Sequence, residues 1–418
     1  MAGLIPEKQR QFALEVVRRL REAGFEAYWA GGCVRDQLLG RVPKDYDVAT
    51  SAVPPQIREL FGHRRTLAIG AAFGVITILG PSGAGQIEVA TFRQDATYSD
   101  GRHPDRVTFS NAREDALRRD FTINGLFFDP IAEQVLDYVG GSEDLQRHLV
   151  RAIGDPLERF REDKLRLLRA VRFAAAFGFE LDPGTFAAIR QMAPEITVVS
   201  PERIAQEMRR LLEAADRARG LRLLVDTGLA VVILPEIFSA PEDPCRLELA
   251  SSLLAHLRQP RFALALAALL HLWVGPQAAE KVCQRWRLAN KETERVRWLV
   301  EHQTSLDGSR AKPWSALQPI LVDEGSDDLL KLTEARALVG LGHWEDVAWC
   351  RQLVERPRPQ LDPPPLLTGD DLIRHGIRPG PQFKSLLQAV RDAQLDDQIH
   401  SRDQALALVD RLTQHQDQ

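Results

Sequence analysis

Residues 31–51 read GGCVRDQLLGRVPKDYDVATS, and this stretch decides the fold. It passes from a double glycine into a short helical run, VRDQLLG, and then into a strand, DYDVAT. Residues i and i+2 of a strand point to one side. Asp45 and Asp47 therefore share a side, while Tyr46 and Val48 face a core. Two carboxylates held side by side repel each other. Either a cation sits between them, or the pair is a solvated strand end.

Upstream, PEKQRQFALEVVRRLREAG is a helix that Pro6 opens and Gly24 stops, and EAYWA is a strand running into Gly31-Gly32. Downstream, PPQIRELFG is a helix, and FGVITILG and GQIEVATFR are β-branched runs between glycines, which read as strands. The polar stretch 94–110 reads as a long loop, and long loops inside a compact domain are often functional. DALRRDFTINGLFFDP returns to helix and then strand. From about residue 142 the strand signals nearly vanish, and REDKLRLLRAVRFAAAFG, PERIAQEMRRLLEAAD, RFALALAALLHLW and KETERVRWLVEHQ are helical in period. A proline-rich stretch at 356–365 separates a last helical piece. The fold class is α+β: a small mixed α/β head on a long all-helical remainder.

With 418 residues the chain is too long for one ordinary core. Its composition, 44% hydrophobic and 27% charged, is that of a globular protein, with no apolar run of membrane-spanning length. Four scattered cysteines lack metal spacing, so a reduced, cytoplasmic protein is expected. The net charge of −4 excludes a broadly basic chain; an RNA partner requires local positive charge.

Gly31 and Gly32 let backbone amides approach a phosphate closely, with Arg35 adding charge. The plainer reading is a tight strand–helix turn. Asp45 and Asp47 suit Mg²⁺, a hard ion that takes one or two carboxylates and fills its remaining places with water and substrate phosphates. Arg119 is a candidate for a nucleotide phosphate, and Asp120 or Asn124 for a ribose hydroxyl; Asp120 also reads as a helix cap. EDKLRLLRAVRF, residues 162–173, reads as one helix. Asp163 and Arg166 share a face, and Arg169 and Arg172 extend that row beside an apolar row of Leu165, Leu168 and Val171. An acceptor beside donors can read a base that carries an exocyclic amino group, as adenine and cytosine do. An ion-paired surface helix has the same pattern.

The ordered set G-G-x-V-R-D, D-x-D, R-R-D-F-x-x-N and E-D-x-x-R closely resembles the class II tRNA nucleotidyltransferases and bacterial poly(A) polymerases. The resemblance covers about the first 210 residues strongly, including SPERIAQEM at 200–208, and continues weakly into TGDDLIRHGIRPGP. It implies a seahorse of nucleotidyltransferase head (1–145), helical neck (146–212), body (213–330) and tail (331–418). It implies that Asp45 and Asp47 are catalytic and hold Mg²⁺, and that Gly31, Gly32 and Arg35 contact the triphosphate. Arg119, Asp120 and Asn124 match the sugar and phosphate motif. Asp163 and Arg166 match the protein template for the incoming base, with Arg169 and Arg172 as further nucleotide contacts and Glu88 near the metals.

The chain departs from the family at Phe73, at Gly125 and at DYVGG (137–141). Leu272 follows His271, so the His-Asp phosphohydrolase module of some relatives is not expected. The implied activity is addition of CCA to the 3′ end of tRNA from CTP and ATP, with the acceptor stem as the RNA partner. The runners-up are an A-only or CC-only tRNA enzyme and a poly(A) polymerase. The full-length 94–110 loop argues against CC-only, and the absence of a long basic extension against poly(A) synthesis. A catalytically dead RNA-binding protein conflicts with the presence of both aspartates.

Overall fold

Pro6 opens helix α1 (Pro6–Glu22), and Gly24, at φ 87°, lies just past its end. Phe12, Ala13, Val16, Val17 and Leu20 recur at helical spacing and form its buried face. The computed structural model of the chain describes residues 5–95, 107–238 and 244–414. Contacts divide the chain into two compact units, Met1–Ser239 and Ala240–Gln418.

In the first unit β1 (Ala27–Ala30) leads through Gly31 into α2 (Gly32–Leu38), followed by β2 (Asp47–Thr50) and α3 (Pro54–Phe61). Strands β3 (Thr66–Leu67), β4 (Val75–Leu79) and β5 (Gln86–Thr91) come next. After helix α4 (Ala112–Leu117), strands β8 (Phe127–Asp129) and β9 (Gln134–Leu136) complete a seven-stranded sheet ordered β3-β4-β5-β2-β1-β8-β9. Between β5 and α4, β6 (Arg93–Asp95) and β7 (Val107–Phe109) pair as a separate antiparallel ribbon. The ends of the expected 94–110 loop are thus strand; its centre, 96–106, lies outside the described residues.

Strands β2 and β5 run parallel, with Asp47 opposite Glu88 and Val48 opposite Val89. Val48 and Val89 are fully buried, while Asp47 and Glu88 face outward. The alternation read from DYDVAT is the one the sheet adopts, with Tyr46 and Val48 inward. Ala30, Ala49, Phe92, Ala112, Ala116 and Phe127 form a small core under α4.

The chain then turns helical: α5 (Gly141–Gln146), α6 (Pro156–Glu162), α7 (Leu165–Phe177), α8 (Pro183–Met192) and α9 (Pro201–Leu212). Two two-residue strands, β10 (Leu149–Val150) and β11 (Glu180–Leu181), pair in parallel among them. The expected single helix over 162–173 is instead broken. Glu162 ends α6, Asp163 is extended (φ −148°, ψ 106°), and α7 begins at Leu165. The cause is local: the Asp163 carboxylate accepts the amide of Leu165 at 3.0 Å, competing with the helix ladder. Leu165, Leu168 and Val171 are buried, as their spacing predicts.

The second unit is helical throughout its described residues, and Leu367, Leu372, Leu386, Val390, Ile399 and Val409 form one of its cores. No helix among the described residues is long and apolar enough to cross a membrane.

Candidate active site

Gly31 closes the first wall of the site. Its φ of 72° lies in the left-handed region that favours glycine. A Cβ there would stand 2.7 Å from Arg119 Nη1, so a side chain would displace the arginine. The Gly31 amide donates to the Leu126 carbonyl (3.0 Å), tying the turn to the next motif. The tight-turn reading and the phosphate-loop reading of this glycine are compatible.

The carboxylates lie beside this turn. Asp45 and Asp47 are both exposed, and Glu88 faces the same way from the register position next to Asp47. Neither aspartate carboxylate accepts a hydrogen bond or forms an ion pair with the described residues. The Asp47 carboxyl opens to water on one side, yet protein packs closely about the others. That burial, with Glu88 and Asp45 adding negative charge, pushes it up to about 6 despite the nearby Arg119.

Opposite stands a wall of arginines. A cleft of about 440 Å³ is lined by Gly31, Gly32, Arg35, Asp47, Arg119 and Asp120 from the head motifs. Asp163, Arg166, Arg169 and Arg203 line it from the helices that follow. These side chains form a continuous network. Arg35 Nη1 donates to Asn124 Oδ1 (2.6 Å), and Asn124 Nδ2 donates to Asp120 Oδ1 (3.1 Å). Asp120 Oδ2 accepts from Arg169 Nε (2.9 Å) and Nη2 (2.6 Å). Glu207 takes Arg172 through Nε and Arg210 at 3.1 Å. Burial alone would raise the Asp120 carboxyl, but the Arg169 guanidinium and the Asn124 amide hold it well below the usual carboxylate range. Asp115, gripped by Arg118 and Arg119, is lowered against its burial in the same way.

Ten of the twelve sequence-predicted site residues line this one cleft; Asp45 and Arg172 do not. Asp45 lies two residues before Asp47, at the strand entrance. Arg172 is buried, with its guanidinium 3.8 Å from the centre of the Phe173 ring and its charge met by Glu207. Arg35 is also less free than its position suggested, because it lies 4.4 Å from the Phe177 ring centre and pairs with Asp36. Asp120 does not cap the following turn in the usual sense; it accepts the amide of its neighbour Phe121 (2.8 Å) and the side chains named above. Asp163 and Arg166 do not pair with each other. Asp163 Oδ2 accepts from Arg203 (2.7 Å), and Arg166 donates to Glu162 and to the Arg159 carbonyl (2.9 Å).

Sequence reasoning missed Arg203, Glu162 and Glu207 as partners of these groups. The signal was present in PERIAQE, where Arg203 and Glu207 are one turn apart on a helix. Gly125 is a packing residue, since a Cβ would meet Val139 at 2.7 Å and Ile153 at 3.1 Å.

Residues 27–151 match the family model described as the poly A polymerase head domain, 178–240 that of the RNA and SrmB-binding site of polymerase A, and 261–409 that of tRNA nucleotidyltransferase domain 2. A relative from Limosilactobacillus fermentum named CCA-adding enzyme is 35% identical over 94% of both chains. One of the same name from Geobacillus stearothermophilus is also 35% identical over 94% of both. The crystal structure of Bacillus stearothermophilus CCA-adding enzyme in complex with CTP superposes with a TM-score of 0.77 at 29% identity, covering 98% of this chain and 99% of that one.

Proposed function

We propose, from the premise that this chain belongs to the CCA-adding enzymes of the tRNA nucleotidyltransferase family, that its cleft joins C, C and A in turn to the 3′ end of tRNA from CTP and ATP, releasing pyrophosphate. The observation that carries the reading is the pairing of two unlike walls. Asp47, which accepts no hydrogen bond on its carboxylate among the described residues, lines an arginine-rich cleft with Asp163, and Asp45 stands two residues before it.

The donor set fits Mg²⁺. Asp45 and Asp47 offer hard oxygen ligands with no competing hydrogen bond among the described residues, and Glu88 adds a third carboxylate beside Asp47. Asp45 and Asp47 would hold Mg²⁺, whose chemistry there would be activation of the RNA 3′-hydroxyl and stabilisation of charge on the α-phosphate and leaving pyrophosphate. The protein's own residues position the reactants. Gly31, Gly32 and Arg35 hold the triphosphate, and Arg119, Asp120 and Asn124 hold its sugar and phosphates. Asp163 accepts from the exocyclic amino group of cytosine or adenine, and Arg166 donates to a neighbouring ring nitrogen or carbonyl. Arg169 fixes Asp120, and Arg172 supports the same wall from behind.

Residues 1–145 carry the chemistry, 146–212 base choice, and 213–330 and 331–418 the tRNA. The acceptor stem is A-form and is read by shape and backbone. Four scattered cysteines without metal spacing suit a reducing compartment, and the reading places the enzyme's work in the cytoplasm. The test is addition to tRNA lacking its 3′ CCA, with labelled CTP and ATP and sizing of the product. Three added residues are expected. A product stopping at CC, or requiring a CC end, would make this a partial enzyme, and long A tails a poly(A) polymerase.

A further inference from the structure

Resting on the reading of Asp163 as the base-selecting acceptor, we infer that Arg203 is a positioning residue for base choice, acting by fixing the plane of the Asp163 carboxylate. Asp163 stands in the break between α6 and α7, outside both helices. Among the described residues, two hydrogen bonds hold its side chain. The Leu165 amide donates to Oδ1 at 3.0 Å, and Arg203 Nη2 donates to Oδ2 at 2.7 Å. One grip would leave the carboxylate free to turn about its terminal torsion, which is broad and soft. Two grips on different oxygens remove that freedom. Each carboxylate oxygen can accept twice, so both keep a place for a base.

Arg203 comes from forty residues further along the chain, on α9. Its helix is well anchored: Ala205, Met208, Leu211 and Leu212 are buried, and Glu207, one turn on from Arg203, holds Arg172 of α7. Arg203 therefore reaches Asp163 from a fixed support. The Arg203 and Asp163 side chains are 20% and 17% exposed, both at the cleft. Arg166 is held by other groups, Glu162 and the carbonyls of Arg159 and Arg118. The two base-facing groups are thus steered separately, and Arg203 steers only the acceptor.

The experiment measures competition between CTP and UTP for addition to truncated tRNA, using the full chain. Asp163→Ala, Arg203→Met, Arg203→Lys and the double variant Asp163→Ala/Arg203→Met are compared, with thermal melts as the check on folding. Arg203→Met is expected to lower the preference for CTP about tenfold while CTP addition itself falls much less, and Arg203→Lys to restore part of it. The double variant should be no less selective than Asp163→Ala alone, because Arg203 acts through that carboxylate. If Asp163→Ala keeps full preference, the base-choice reading fails and this inference with it. If Asp163→Ala loses preference while Arg203→Met keeps it, Arg203 is overturned and the reading of Asp163 stands. If Arg203→Met does not fold, Arg203→Lys decides: an intermediate preference supports the role, and an unchanged one overturns it.

Discussion

Two groups of acids share the first unit and meet opposite conditions. On the carboxylate edge of the cleft, where β2 pairs with β5, burial first and then the charges of Glu88 and Asp45 push the Asp47 carboxyl up to about 6. On the opposite wall Asp120 and Asp115 are also buried, yet both are held low because arginines close on them. The chemistry of the residue is the same; the difference is whether the fold supplies the counter-charge. Arginines of that wall meet acids of the same fold, which fixes where their guanidinium groups stand. The carboxylate edge has no such arginine grip among the described residues, and in the proposed reading it is the side that takes a cation.

The strongest way to break this contrast is at the edge. Asp45→Ala or Asp47→Ala should cut nucleotide addition more than a hundredfold, a barrier increase above about 2.7 kcal/mol, with the melting temperature kept. Near-normal turnover in either variant would remove the two-carboxylate assignment.

On the opposite wall the loss should appear in stability. Asp120→Asn leaves Arg169 facing a neutral amide and should destabilise by about 2 kcal/mol. That is below the ~3–5 expected for a fully buried pair, because the Arg169 side chain is 30% exposed. Asp120 binds its proton more weakly folded than unfolded. Its stabilising contribution is therefore full above the unfolded value of about 4 and is lost as pH falls toward the lower folded value. The gap between the melting temperatures of wild type and Asp120→Asn should narrow between pH 7 and pH 3, closing only below the depressed folded value. A constant gap between them would show that the pair does not carry the effect.

The smallest expected effect sits where the walls meet. Gly31→Ala forces a side chain into the left-handed region at a cost of about 1–2 kcal/mol and pushes on Arg119. CTP affinity, measured by titration calorimetry, should weaken more than stability does. Unchanged affinity would mean that Arg119 is not held in its working position by that turn.

The head was the most legible part of the sequence, because period-2 alternation, glycine stops and proline openers all agreed there. DYDVAT, with Tyr46 and Val48 inward, is the clearest case. The break at Asp163 was harder to see, since the apolar row of Leu165, Leu168 and Val171 continues the helical period past it. Only the tendency of aspartate to cap helices marked the stop. The nearby partner Glu162 of Arg166 was within reach of helical spacing, but the distant partners of Arg169 and Arg172 were not. Glu207 lies thirty-five residues from Arg172, and Asp120 forty-nine from Arg169. Helical spacing identifies neighbours within a turn; these pairings arise only when α7 packs against α9 and against the segment that carries Asp120.

The parallel pairing of β2 with β5 has a consequence for how the enzyme is made. Parallel neighbours cannot be joined by a tight turn, and here the connection includes α3, β3 and β4. Asp45 and Asp47 leave the ribosome early, but their edge has no register until Gln86–Thr91 arrives and docks. A slip of one residue in that docking would turn Glu88 to the core and Val89 to the cleft. The Asp47–Glu88 pairing is therefore a non-local product of folding, formed only once α3, β3 and β4 have been made and the loop they occupy has closed.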